Sequence, residues 1–482
     1  MTLSEGTQLE PGQHNVLRAL DGRPATAFYW QLTLLSTLGG FLFGYDTSNI
    51  GSALNFVPYP LNGFAQGYLV AGASLGAAAG ALAAGPLADR FGRKSLLIVD
   101  AAIYAVGALL SAFTPDAAVL LVARTMIGVG IGADSAIATA YIAEYAPRGR
   151  RGALGMLQQW MITVGILVSY LIALVILRAF PGSAGGMDWR LILGLGAVPA
   201  LIAVTLRTRM PESPRWLIRH GKYDQASEAL AVLGVEASAE QVRATADDLD
   251  KADKTETQRK SRWTPGVRRA LIVVCVFFVF QQITGINVPL YYGPKLLGSL
   301  FQGGGGGKVA STVAGVEVTA ILTAVNVLAT WIAFRLIDHA GRRKLAIGGY
   351  AGMAVSAVLA AAGLALLPGM TRIVVVAIAL GLFIASFAAG VGGTGWVLQG
   401  EVFPTSVRGQ AAAVAACVDW VANFALIEVF PTWQTGIGLG WIMVCFAGLC
   451  VMAVAFVYWF LPETKDHSVE EIIGLFERQA RA

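Results

Sequence analysis

The residues of this chain that could do chemistry are few, and they sit in apolar sequence. Asp46 is the one charged residue between Ala27 and Ser52. If that stretch crosses a bilayer, an ionised carboxylate there costs about 2.5–3.5 kcal/mol by insertion scales, so it must be paired, neutral or beside water. Gln281, Gln282, Asn287 and Tyr291 form a second group. Gln281 and Gln282 stand six and five positions before Asn287, one and a half helical turns, and Asn287 and Tyr291 share a face. Amides both donate and accept hydrogen bonds, which suits a solute whose hydroxyls do the same. The same side chains also join membrane helices to one another, so chemistry alone leaves both roles open. Asp134 and Asp419 are further acids in apolar sequence. No nucleophile–base set, phosphate-binding loop or metal-ligand spacing accompanies them. His14, His220, His339 and His467 fall outside the apolar stretches, and Cys275, Cys417, Cys445 and Cys450 fall inside as small hydrophobes. An enzyme, a metal and a cofactor are therefore not expected.

These residues must be positioned by membrane helices. The 482 residues are 56% hydrophobic and 13% charged, against about 25% charged in soluble domains. Twelve apolar stretches are read at 27–52, 64–88, 95–114, 117–143, 153–178, 190–207, 269–299, 310–337, 344–367, 372–400, 409–433 and 437–461. Each holds about 20 residues, enough for roughly 30 Å of hydrocarbon, where the backbone must satisfy itself as helix. The net charge of +5 is not a nucleic-acid footprint. Arg90, Arg93 and Lys94 follow the second stretch, Arg148, Arg150 and Arg151 the fourth, Arg342, Arg343 and Lys344 the eighth, and Arg408 the tenth, while 55–62 and 112–116 carry no Lys or Arg. This asymmetry predicts both termini in the cytoplasm. The expected division is a cytoplasmic segment 1–26, a six-helix bundle 27–207, a polar linker 208–268 with amphipathic helices near 223–233 and 238–250, a second bundle 269–461 and a tail 462–482.

The halves repeat. Asp89 to Lys94 matches Asp338 to Arg343 after equivalent stretches; Glu144, Pro147, Arg151 and Gly152 match Glu401, Pro404, Arg408 and Gly409; Pro211-Glu212 matches Pro462-Glu463. Arg93 to Arg342 is 249 positions, Glu144 to Glu401 is 257, and Glu212 to Glu463 is 251. Three pairs in order imply a duplicated six-helix unit, and transporters built from repeats hold substrate at the midplane between them. The acids and arginines at the helix ends, Asp89, Arg90, Arg93, Glu144, Arg151, Glu212, Arg215, Asp338, Arg342, Arg343, Glu401, Arg408 and Glu463, are expected to form a breakable latch; setting topology is the alternative.

With Gly44-Tyr45-Asp46, Trp189-Arg190, Pro211 to Leu217, Gln281 to Asn287, Tyr291-Tyr292 and Pro462 to Lys465, the chain resembles the sugar porter family of the major facilitator superfamily over roughly residues 28–470. The resemblance implies an all-α membrane protein of twelve helices in two pseudo-symmetric bundles with cytoplasmic helices. It implies a sugar site of Phe43, Gln159, Gln281, Gln282, Asn287, Tyr291, Asn326, Gly392, Trp396, Asp419 and Trp420. It also brings Asp46 near Arg124, read as the other membrane charge of this half, and relatives with an acid there resemble bacterial sugar–proton symporters. The expected activity is proton-coupled uptake of a monosaccharide or polyol by a monomer in the cell membrane. A uniporter with a permanent Asp46–Arg124 pair is the rival, and a channel or a sugar-sensing receptor stands further off.

The chain departs from the pattern in three places. Asp419 stands before Trp420 where an amide is usual, so a hydroxyl or an amine could be its partner. Gly392-Gly393-Thr394-Gly395-Trp396 lacks the usual proline. Asp134 lies about 80° in helical phase from Arg124 and is a candidate second protonatable group.

Overall fold

The computed structural model describes residues 7–8, 16–21, 27–145, 151–246, 263–301, 307–404, 407–465, 467 and 469–481. Ten helical stretches among them are long and apolar enough to cross a bilayer. Two further crossings complete twelve. The first is broken at Thr37 into α2 (Ala27–Ser36) and α3 (Leu38–Ala53). The last two form one 53-residue element, Arg408–Phe460, which turns at Gly438 with φ 79°.

In chain order, α1 (Val16–Asp21) precedes α2 and α3, and α4 (Gly63–Phe91), α5 (Arg93–Ala112), α6 (Ala117–Tyr145) and α7 (Arg151–Ala179) follow. A π-turn at Ala184–Asp188 leads into α8 (Trp189–Gly194) and α9 (Ala197–Arg207). The polar stretch carries α10 (Pro214–Arg219), α11 (Tyr223–Val232) and α12 (residues 239–246). Both amphipathic helices expected there are therefore present, although the second is described only to 246. Thr7–Gln8 and Val235–Glu236 pair as two short parallel strands. The second half runs α13 (Pro265–Ile283), α14 (Asn287–Leu300), α15 (Lys308–Ala340), α16 (Arg342–Leu366), α17 (Gly369–Phe387), a π-turn at Ala388–Gly392, α18 (Gly393–Glu401), α19 (Arg408–Phe460) and α20 (Val469–Arg481).

Small residues decide how closely these helices pack. A Cβ on Gly76 or Gly80 of α4 would stand 2.0 or 2.2 Å from a carbonyl oxygen of α6, and one on Gly128 or Gly132 of α6 would stand 1.9 Å from a carbonyl oxygen of α4. Only glycine permits that approach, and close packing is what holds membrane helices together where no hydrophobic force acts between them. The two halves meet along α3 with α14, α4 with α19, and α7 with α15.

At one end the duplicated motifs build the same structure twice. Arg93 donates to Glu144 at 3.0 Å and Asp89 at 2.9 Å, and the Arg93 and Lys94 amides donate to Glu212. Arg342 donates to Glu401 at 2.7 Å, and the Arg342 and Arg343 amides donate to Glu463 at 2.8 and 3.2 Å. Gly92 and Gly341 turn the chain into these carboxylates with φ 93° and 87°. Arg215 donates to the Glu144 carbonyl. Arg90 lies instead over the Phe91 ring, and Arg408 donates to the Phe403 carbonyl; neither makes an ion pair among the described residues. The side chains of Arg151 and Asp338 lie outside the described residues, as do Arg148 and Arg150.

Candidate functional site

Asp46 and Arg124 are fully buried between α3 and α6. The guanidinium forks onto the carboxylate through both Nη atoms, one at 2.8 Å to Asp46 Oδ2, and its Nε donates to the Leu69 carbonyl of α4 at 3.1 Å. The pair is thus neutral as a unit and tied to three helices. The Tyr291 hydroxyl, from α14 of the other half, lies near Thr47, Ser74, Asp46 and Arg124. Tyr291 therefore stands beside the ion pair, one turn along α14 from Asn287.

The amides form a chain of their own. Gln282 donates to Asp419 at 2.6 Å, and Asn287 donates to Gln282 Oε1 at 2.7 Å and to Asn423 Oδ1 at 3.0 Å. Asn423 then donates to Ser74 Oγ on α4 at 3.0 Å. Four polar residues of the second half are linked in sequence to the first half, ending at the serine that also neighbours Tyr291. The break between α13 and α14, at Gly285 with φ 93°, makes this possible by letting Gln282 and Asn287 face each other across the interruption.

The remaining predicted residues divide. Phe43 and Trp420 meet edge to face at 4.8 Å across the two halves, and with Trp396, Gly39, Ser135 and Gln158 they line a small cavity. The Trp420 Nε1 is buried without a partner in the protein, a free donor beside that space. Gln159 lies beside Gly392, its amide 3.4 Å from where a Cβ would stand. Asn326 is buried on α15 outside the amide chain. Gln281 bonds within the second half: its amide donates to the carbonyls of Gly392 at 3.1 Å and Val391 at 3.5 Å, on the π-turn between α17 and α18, and its Oε1 is buried without a partner in the protein. A π-turn frees carbonyls that a helix would bond, and Gln281 satisfies them where a proline is missing.

The sequence reading missed Asn423 and Ser74, although Asn423 is one turn from Asp419 on the same face. It also read Arg124 as the other membrane charge of its half. Asp100 and Arg207, inside the expected spans 95–114 and 190–207, are buried charges as well; charge within an apolar span was the available signal.

Twelve crossings arranged as a duplicated six-helix unit, meeting at a buried ion pair and an amide chain, define a transporter of the major facilitator fold. The family model described as "Sugar (and other) transporter" matches residues 32–476, and the chain belongs to that family. It is 35% identical to the glucose transporter GlcP of Staphylococcus epidermidis over 91% of this chain and 95% of that one. It is 34% identical to the arabinose-proton symporter of Bacillus subtilis over 98% of both. Among solved structures, the partially occluded inward-open xylose transporter XylE from E. coli matches 92% of this chain and all of that one, with a TM-score of 0.78 and 29% identity.

Proposed function

We propose that this chain couples the movement of a monosaccharide or polyol to that of a proton across the cell membrane. The observation that carries the reading is the chain of hydrogen bonds from Asp419 through Gln282, Asn287 and Asn423 to Ser74, which ends beside Tyr291 and the Asp46–Arg124 pair. Sugar hydroxyls both donate and accept, so they can replace the bonds these amides make to one another. Doing so in the second half releases Asn423 from Ser74 and changes what holds Tyr291 beside Asp46. A proton on Asp46 neutralises its carboxylate, leaves the Arg124 charge without its counter-ion and loosens α3 from α6. Substrate thus acts on a contact between the halves and the proton on the pair beside it, and coupling requires that each favour the same arrangement. Supporting relatives include the arabinose-proton symporter and the proton:xylose symporter XylE bound to 6-bromo-6-deoxy-D-glucose, at TM-score 0.77 and 29% identity.

The chain works in this reading as a monomer of two rocking bundles, 27–207 and 269–461, joined by 208–268. Arg93, Lys94, Arg342, Arg343 and Lys344 mark the cytoplasmic end, on which both termini lie. The repeated Arg–Glu sets stiffen each bundle there. The bonds joining the halves, Asn55 to Thr312 at 3.2 Å, Tyr170 to the Leu290 carbonyl at 2.6 Å and Arg178 to Glu317 at 2.6 Å, seal the opposite end.

Asp46→Asn tests the reading in proteoliposomes with radiolabelled D-xylose, L-arabinose and D-glucose. Wild type concentrates at least one of them on an inward proton gradient; the variant keeps counterflow and loses accumulation. A variant that still accumulates sugar refutes the proton assignment. A second reading, an amino sugar as substrate, is favoured by one observation, the buried Asp419 carboxylate with Gln282 as its hydrogen-bond donor. D-glucosamine outcompeting D-glucose in wild type but not in Asp419→Asn would establish it.

A further inference from the structure

The first half holds a second ionic centre, apart from the Asp46–Arg124 pair. Arg207, at the end of α9, is fully buried. It donates to Asp100 of α5 at 2.8 Å and to Asp134 of α6 at 2.5 Å. Its other bonds go to the carbonyls of Leu97, Ser36 and Leu35. Asp100 and Asp134 are each 3% exposed.

One guanidinium therefore faces two carboxylates. Among the described residues the groups around them bring no second cation: α2 offers the Leu35 and Ser36 carbonyls, α3 the backbone at Gly39, α7 the amide of Gln158, and α5 a further carbonyl at Leu97. Tyr104, one turn along α5, points its hydroxyl at Gly196 beside Tyr45. With both acids ionised the centre would carry a net negative charge inside the membrane, where uncompensated charge is among the costliest arrangements.

The hydrogen bonding shows the same shortage. Each carboxylate gives one oxygen to Arg207, and the other, Asp100 Oδ2 or Asp134 Oδ1, has no partner in the protein. Arg207 brings the two carboxyls together, and Gln158, whose Oε1 is also unpartnered, lies beside Asp134. Acceptors buried together with no donor between them are costly, and a single proton between the carboxyls satisfies two of them.

We propose that Asp100, Asp134 and Arg207 form a second proton-binding centre, in which the two carboxyls share one proton. The pair then titrates as a unit, with the proton on neither acid alone. The centre also touches the moving parts. Asp134 is pressed against α3 so closely that a Cβ on Gly39 would stand 1.8 Å from its Cγ. Gly39 is one turn before Phe43 and two turns before Asp46, and it lines the small cavity with Gln158, Trp396 and Trp420. A role for this proton in driving transport rests on the symport reading above; its binding does not.

The test is infrared difference spectroscopy of the purified full-length protein, titrated across pH in H2O and D2O, reading the carbonyl stretch of a protonated carboxyl. Wild type is expected to show a deuterium-sensitive band that Asp100→Asn and Asp134→Asn each abolish and Asp46→Asn retains. Each of those first two variants keeps one neutral carboxylate–guanidinium pair, so their unfolding temperatures are expected at or above wild type. Absence of a protonated-carboxyl band in wild type at every pH where the chain is folded overturns the proposal without any variant. So does a wild-type spectrum that neither substitution weakens in the protonated-carboxyl region, or a sodium-dependent thermal shift in wild type that both substitutions remove. A wild type with the band but without proton-driven uptake of D-xylose, L-arabinose or D-glucose supports this centre and overturns the symport reading.

Discussion

The two halves carry the same latch and differ in what they bury between it and the far end. Arg93 with Glu144 and Glu212 matches Arg342 with Glu401 and Glu463, bond for bond, around glycines at φ 93° and 87°. Above the latch, the first half buries Asp46, Asp100, Asp134, Arg124 and Arg207. Among the described residues the second half buries one acid, Asp419, among amides and indoles. Duplication kept the geometry of the latch and let the interiors diverge, with buried ion pairs on one side and an amide chain on the other. In the proposed reading, asymmetry of this kind lets one proton and one solute act without competing for the same groups.

The comparison breaks first at the ion pair. Arg124→Leu leaves Asp46 buried without its counter-charge, and breaking such a pair costs about 3–5 kcal/mol. Thermal unfolding in detergent should show the largest drop of any single change discussed, and adding Asp46→Asn should restore much of it. A small drop for Arg124→Leu alone would mean that Asp46 is not held as an ion.

In the second half the corresponding change is a loss of affinity. Gln282→Ala removes the donor to a buried carboxylate, a loss of about 1–3 kcal/mol of stability, and in the proposed reading it also removes a partner of the sugar, so the unfolding temperature should fall and KM for the transported sugar should rise. Gln281→Ala, one residue earlier, strips the π-turn carbonyls of Val391 and Gly392 of their donor; it should lower the unfolding temperature and leave KM nearly unchanged. Equal KM effects from both would erase the distinction between site and scaffold.

The latch itself should respond symmetrically. Gly92→Ala and Gly341→Ala each force a Cβ into left-handed backbone, at about 1–2 kcal/mol, and toward a carboxylate oxygen 2.3 or 2.5 Å away. Near-equal falls in unfolding temperature are expected. A tolerated change at one glycine would show that the two copies no longer carry the same load.

How much of this could be read beforehand follows from where each signal resides. The twelve crossings and the latch are local: apolar length fixes the first, and Asp89 to Lys94, repeated at Asp338 to Arg343, fixes the second. Asp46 and Gln282 stand out because a polar group in an apolar span is visible in one dimension. The trio Asp100–Asp134–Arg207 is not local. Its members come from three helices, and Arg207 at the end of its span reads like another topology-setting charge. Only the close approach of α3 and α6 at Gly39 and the run of α9 beneath them bring the three together. The bonds of Gln281 to the π-turn carbonyls were hidden for a similar reason, since a π-turn without proline leaves no sequence mark for the side chain that supports it.

The smallest effect concerns the single hydrogen bond that joins the amide chain to the other half. Ser74→Ala removes the acceptor for Asn423, which bonds it at 3.0 Å, and one neighbour of the Tyr291 hydroxyl. A neutral hydrogen bond contributes about 0.5–1.5 kcal/mol net. Because the bond exists only while α4 and α19 are together, its loss falls on this arrangement and not on the alternative one. The ratio of the two populations should therefore move by roughly two- to tenfold. Spin labels at Phe180 and Lys308, exposed residues at the end away from the latches, report that ratio as a distance distribution, with the native cysteines replaced. Ser74→Ala should enlarge the longer-distance population, and Asn55→Ala, which cuts the bond to Thr312, should do the same. An unchanged distribution in both would mean that the halves are held by packing alone, and the polar link between the proton-bearing and hydroxyl-bearing sides would carry no coupling.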